Sequence, residues 1–121
     1  MEFLNFDWRG KRLKLRPEVG AFYTGNMAIL LYDWSSGRPE PWYHLTVNTH
    51  LICPPNCTLI NTDILGDEIL TWISEQHLAA PTGRCVGAGD CTYREYRFDP
   101  QALQRFDPEG YCKYLSYLHR D

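Results

Sequence analysis

The sequence predicts an α+β domain: a hairpin-rich antiparallel β-sheet of about four to six strands, packed against one main helix, with a C-terminal helix. Three observations predict it. The N-terminal half alternates apolar and polar side chains with a period of two, punctuated by turn dipeptides. One stretch, residues 65–77, repeats its apolar side chains at helical spacing. Two Asp-Pro pairs, Asp99-Pro100 and Asp107-Pro108, carry the signature of helix starts.

The elements follow in order. Phe6 and Trp8 alternate with polar neighbours, Arg9-Gly10 can turn, and Leu13 and Leu15 alternate with Arg12, Lys14 and Arg16. This predicts a hairpin with leucines inward and basic residues outward. Pro17 lacks an amide proton and is expected to end the strand. A second hairpin is expected across Gly25-Asn26, joining residues 21–24 to residues 27–34. Residues 27–32 are almost continuously apolar and are expected to be buried on both faces or to lie at the sheet centre. Residues 42–49 form the next strand, with Tyr43, Leu45 and Val47 on one face and Trp42, His44, Thr46 and Asn48 on the other. After Pro54-Pro55, residues 58–61 can make one more short strand.

Leu65, Ile69, Leu70, Trp72 and Ile73 then trace the main helix, with Asp67, Glu68 and Glu75 on its polar side. Asp63 is the expected cap and the helix is expected to stop near His77. The glycine-rich residues 79–90 are expected as a long loop and residues 91–98 as a strand. The final helix places Tyr111, Tyr114, Leu115 and Leu118 on one stripe. All 121 residues make one expected domain.

Composition bounds function without naming it. The chain is 44% hydrophobic, 22% charged and 14% aromatic, as a folded soluble domain is, with an excess of rings. The net charge of −3 is too mild for a dedicated nucleic-acid binder or an acidic mimic of DNA. It hides a polarity. Residues 1–16 carry five basic residues against two acids, and the rest carries seven against thirteen, giving +3 and −6. No signal peptide or membrane span is visible, so a cytoplasmic location is expected. Five cysteines, an odd number, suit reduced thiols better than a disulfide framework.

Each candidate chemistry has a plain structural alternative. Cys53, Cys57, Cys85 and Cys91 could supply a zinc site, but only the first pair has knuckle spacing. Cys112 reads as packing. His44, His50, His77 and His119 are scattered, and a Cys-His nucleophile pair would have to be built in space. The run Thr82-Gly83-Arg84 through Gly89-Asp90 lacks the Lys-Ser/Thr of a phosphate loop and the strand-then-helix context of a dinucleotide site. It can still be a recognition loop using the Arg84 guanidinium. Trp34, Trp42 and Tyr43 crowd around one loop, as interface aromatics do. Asp67 and Glu68 offer an acidic docking face. Arg12, Lys14 and Arg16, near Trp8, fit the recipe for single-stranded nucleic acid. No motif calls for a cofactor.

A resemblance adds context. Residues 40–48, reading Glu-Pro-Trp-Tyr-His-Leu-Thr-Val-Asn, precede Asn61-Thr62, then Thr82-Gly83-Arg84, then Tyr93-Arg94-Glu95-Tyr96-Arg97-Phe98-Asp99. This order resembles a family of small proteins of unknown function carried by conjugative elements and phages of Gram-positive gut bacteria. About half the chain takes part, and Cys53 and Cys57 depart from the pattern. The resemblance implies no catalytic residue. It implies mobile-element cargo that binds a host protein, such as a defence nuclease complex, and inhibits it in the manner of an anti-CRISPR protein. Three readings are therefore carried forward: a non-enzymatic binding protein, a nucleic-acid accessory protein, and a small cysteine enzyme or zinc-stabilised domain.

Overall fold

The computed structural model describes residues 1–118, so His119 lies outside the described residues. The α+β class holds, and the strands divide into two antiparallel four-stranded sheets rather than one. The first is a meander of β1 (Leu4–Trp8), β2 (Lys11–Ala21), β3 (Met27–Asp33) and β4 (Glu40–His44). The second orders β5 (Thr46–Val47), β6 (Cys57–Ile60), β8 (Cys91–Phe98) and β7 (Ala79–Ala88). The helices are α1 (Asp67–Glu75), α2 (Pro100–Phe106) and α3 (Pro108–Leu118).

The first hairpin forms as its sequence demands. Trp8 pairs with Lys11 across Arg9 and Gly10, whose φ angles of 48° and 79° are the left-handed pair that matches the twist of flanking strands. The second hairpin has a longer loop than Gly25-Asn26 alone. The Phe22 amide donates to the Asn26 carbonyl at 2.8 Å, so residues 22–26 make the turn and Gly25 supplies its φ of 90°.

Pro17 does not end β2. It sits in register with Leu31, and the strand continues to Ala21. The reason is geometric. β1 pairs with β2 only as far as Leu15, so beyond it β2 has a free edge. Alternate residues of a strand direct their backbone groups to the same side. Val19 sends its amide off the sheet to Asp107 Oδ2 at 2.8 Å, and Pro17, two residues earlier, points its missing donor the same way. The second Asp107 oxygen accepts from the Gly110 amide at 3.0 Å and so caps α3. Arg16 donates to the Phe106 carbonyl at 2.8 Å and ties the end of α2 to the same edge.

β3 lies at the sheet centre, between β2 and β4, and is buried on one face rather than both. Met27, Ile29 and Leu31 are buried while Ala28, Leu30 and Tyr32 are half-buried. The expected strand over residues 42–49 breaks at fully buried Leu45, where the chain leaves one sheet for the other. The Leu45 amide donates to the Ile29 carbonyl and its own carbonyl accepts from Asn61, both at 2.9 Å. The break inverts the alternation, so Thr46 is buried rather than exposed. Its hydroxyl accepts from the Ile29 amide at 3.1 Å, and the buried Thr58 hydroxyl donates to the Met27 carbonyl at 2.8 Å. These two hydroxyls complete the stretch of β3 that β4 does not reach.

α1 buries Ile69, Leu70, Trp72 and Ile73, as its spacing predicts. Its cap is Gly66, not Asp63, and no side chain serves it. Asp63 instead accepts from the Tyr93 hydroxyl at 3.0 and 3.1 Å. The Trp72 indole donates to the Asn5 carbonyl at 2.8 Å and covers the outer edge of β1. Asp99 caps α2 by accepting from the Gln101 amide at 3.0 Å. Most of the expected loop is strand: Ala79–Ala88 form the edge strand β7, with a bulge between Pro81 and Cys85, and only Gly89 and Asp90 turn into β8; edge strands tolerate the Pro and Gly that suggested a loop.

The main core lies between the first sheet and the three helices, closed by Ile60, Tyr96 and Phe98 of the second. A smaller cluster of Cys53, Cys57, Leu59 and Tyr93 covers the other face of that second sheet. Residues 48–53 lie over it. The buried Asn26 side chain holds them, donating to the Leu51 carbonyl at 2.7 Å and accepting from the Cys53 amide at 2.9 Å. Among the described residues no helix is long and apolar enough to cross a membrane.

Candidate functional site

The outer face of the first sheet gathers the side chains best suited to contact a partner. Even-numbered residues of β2 and β3 point there, and Arg16 stands opposite Tyr32 in the register. Trp34 continues the ladder past β3, its amide donating to the Lys14 carbonyl at 2.8 Å. Tyr32 and Trp34 therefore share a face. The turn between α2 and α3 brings Phe106 beside them, and Pro39 closes the far side. The result is an open cleft of about 370 Å³.

Its electrostatics are mixed. The Arg16 guanidinium lies 5.5 Å over the Phe106 ring and donates to the Glu2 and Phe106 carbonyls. Among the described residues no carboxylate pairs with it. Glu18, two residues on, is exposed and likewise has no cation within ion-pair distance among the described residues. Burial, reinforced by the Glu18 charge, raises the Tyr32 phenol, which stays protonated at neutral pH. The Trp34 ring rests 6.2 Å from Phe3.

The other expected binding residues scatter. Tyr43 is buried, and its hydroxyl donates to the Asn61 carbonyl at 2.6 Å, so it is a core residue and not a contact residue. Trp42 packs 5.3 Å from Phe6 and 6.4 Å from Trp8, around the other side of β4. Arg12 forms a 3.1 Å ion pair with Asp7 on β1, and Lys14 lies 5.9 Å over Phe3. The basic row of β2 is thus flanked by Asp7 and followed by Glu18. Asp67 and Glu68 are exposed in the first turn of α1, away from the cleft.

Arg84 belongs to the bulge of β7 and, though exposed itself, reaches a buried carboxylate. It donates through Nε, at 3.2 Å, and through Nη2 to one oxygen of Glu95, which is only 3% exposed. Thr82 donates to the other Glu95 oxygen at 2.8 Å. Burial alone would raise the Glu95 carboxyl, but the hydrogen bonds from Arg84, Thr82 and Cys53 win and hold it below its ordinary value. Glu95 was legible only as one residue of an alternating strand. Its partners come from a bulge that no local pattern announces.

The cysteines do not converge. Cys53 and Cys57 are buried, whereas Cys85, Cys91 and Cys112 are exposed, so Cys112 is not the packing residue its helix position suggests. Burial, with the Glu95 charge, pushes the Cys53 thiol up to about 11 and moves Cys57 the same way. Both are neutral thiols at physiological pH, the wrong state for a nucleophile. Among the described residues no group of three or more His, Cys, Asp or Glu side chains is placed to hold a metal ion.

Comparison with known proteins gives one assignment. No curated protein and no solved structure matches the chain. A family profile described as Domain of unknown function (DUF4313) matches residues 18–118, which take in every cleft residue except Arg16 and Pro17. The chain belongs to the DUF4313 family.

Proposed function

We propose that the protein is a non-enzymatic binding module that docks a partner protein against the cleft on its first sheet. One observation carries this reading: Trp34, Tyr32 and Arg16, from β3 and its neighbour β2, line an open cleft on the sheet face, with the buried Phe106 ring beneath the Arg16 guanidinium. Tryptophan, tyrosine and arginine dominate the energetics of protein interfaces. The resemblance to mobile-element and phage cargo supports a host protein as that partner, and a defence nuclease complex as its class. Binding would then inhibit the nuclease.

Affinity capture from host lysate with the wild-type chain and with Trp34→Ala tests this. A host protein is expected to be retained by the wild type and lost with the variant, and its nuclease activity to fall when wild-type protein is added. Equal retention by both chains, or by neither, refutes the reading.

A further inference from the structure

We propose that β7 pairs antiparallel with β7 of a second copy of the chain, joining two second sheets edge to edge. The surface is separate from the cleft on the first sheet, and the proposal does not rest on that reading.

The sheet edges are unequally guarded. The Trp72 indole covers the outer edge of β1, and Asp107 covers the free stretch of β2. β4 carries Pro41 and an irregular register, and β5 is two residues long. β7 ends its sheet, and residues 85–88 have neither proline nor charge.

The hairpin fixes which backbone groups are bare. Ala88 and Cys91 flank the two-residue turn Gly89-Asp90, where Gly89 has a φ of 62°. Residues flanking such a turn bond each other, and the bonding alternates along the strand. Ala88 and Val86 therefore bond β8, while Cys85 and Gly87 direct their amides and carbonyls away from the sheet. Those groups have no backbone partner among the described residues.

Any strand can pair with bare backbone; the match of β7 to itself selects a second copy. A two-fold axis at Val86 sets Cys85 of each chain opposite Gly87 of the other. Each of those two pairs exchanges two hydrogen bonds, about four in all. Cys85 has Arg94 beside its sulfur at 4.0 Å, and the glycine facing it has no side chain to collide with either. On the other face the two half-buried Val86 side chains meet directly, a favourable cross-strand pair. The run is bounded by Arg84 and by Asp90, which is exposed and has no cation within ion-pair distance among the described residues. Antiparallel pairing brings the basic end of each run to the acidic end of the other, and no like charges are opposed.

So small an interface makes a weak dimer, with an expected dissociation constant between about 10 µM and 1 mM. Sedimentation velocity of the full chain over a concentration series measures it. Gly87→Pro removes one outward amide, which an edge position tolerates, and is expected to weaken dimerisation at least about tenfold. Cys85→Lys is expected to do the same by setting two like charges diagonally across the axis. Circular dichroism checks that both variants fold. Trp34→Ala is expected to dimerise as the wild type does.

Cross-linking tests the register. In a chain carrying Cys91→Ser and Cys112→Ser, the two Cys85 residues lie diagonally on one face, with Cα atoms about 7–8 Å apart. A bismaleimide of about that reach is expected to give a covalent dimer, and adding Cys85→Ser to abolish it. A chain that stays monomeric to about 1 mM overturns the inference. So does a dimer that is indifferent to both edge variants, or one that Cys85 does not cross-link. A monomer that still captures a host protein through Trp34 removes only this inference and leaves the binding module standing.

Discussion

Glu95 shows how a single residue can couple a sheet to pH. Its carboxyl is buried and still ionises more readily than usual, because Arg84, Thr82 and Cys53 all bond the charged form. A carboxyl whose folded pKa is depressed contributes stability above its unfolded value, here near 4.5, and loses it as pH falls through the lower folded value. Arg84→Met removes the cation and leaves the carboxylate buried. The midpoint of acid unfolding, followed by circular dichroism, is expected to move to higher pH, with stability at neutral pH reduced. An unchanged midpoint would mean that solvent, not Arg84, neutralises Glu95. That residues 91–98 form a strand was legible in the sequence. The burial of Glu95 was not, because burial on both faces of β8 depends on residues 48–53 folding over it from a distant part of the chain.

At the scale of elements, the contact between α3 and β2 depends on Gly110. A Cβ built there would lie 2.3 Å from the Val19 carbonyl and 2.1 Å from Asp107 Oδ2. Backbone cannot yield as a flexible side chain can. Gly110→Ala is expected to cost about 1–3 kcal/mol, the usual range for overpacking, measurable by urea unfolding. A loss below a few tenths would show that α3 can slide along the strand. The Asp-Pro signatures marked both C-terminal starts in the sequence, since caps are local chemistry, although the first was expected to open only a short turn and instead opens the seven-residue α2. Three other boundaries are tertiary. Pro17 sits within a strand because its missing donor faces a free edge. Ala79–Ala88 pair because an edge tolerates Pro and Gly. Leu45 divides what local alternation presents as one strand.

At the scale of the whole molecule, the class was legible and the division into two sheets was not. Period-two alternation says that strands exist; which sheet each joins is settled by long-range pairs such as Thr58 with Met27. For the same reason Trp34 and Arg16 stood out individually, while the cleft needed Phe106 from ninety residues further along to be seen. The buried threonine hydroxyls and Leu45 bind the sheets together tightly enough to predict a single cooperative transition. All four tryptophans lie on or against the first sheet, and the two buried thiols lie against the second. Tryptophan fluorescence and the labelling of Cys53 and Cys57 should therefore report the same midpoint, with the three exposed cysteines reacting before unfolding. Separate midpoints would show two folding units.

The double duty of Asp107 has a consequence for the life of the protein in a crowded cell. Sheet edges with bare amides recruit strands from other chains and seed aggregates. On β2 that vulnerable stretch is shielded by the same carboxylate that starts α3, so the shield arrives only when residues 107–118 have been synthesised and have folded. A nascent or clipped chain lacking α3 presents the Val19 amide to its neighbours, and the C-terminal helix acts in effect as a built-in guard against self-templating.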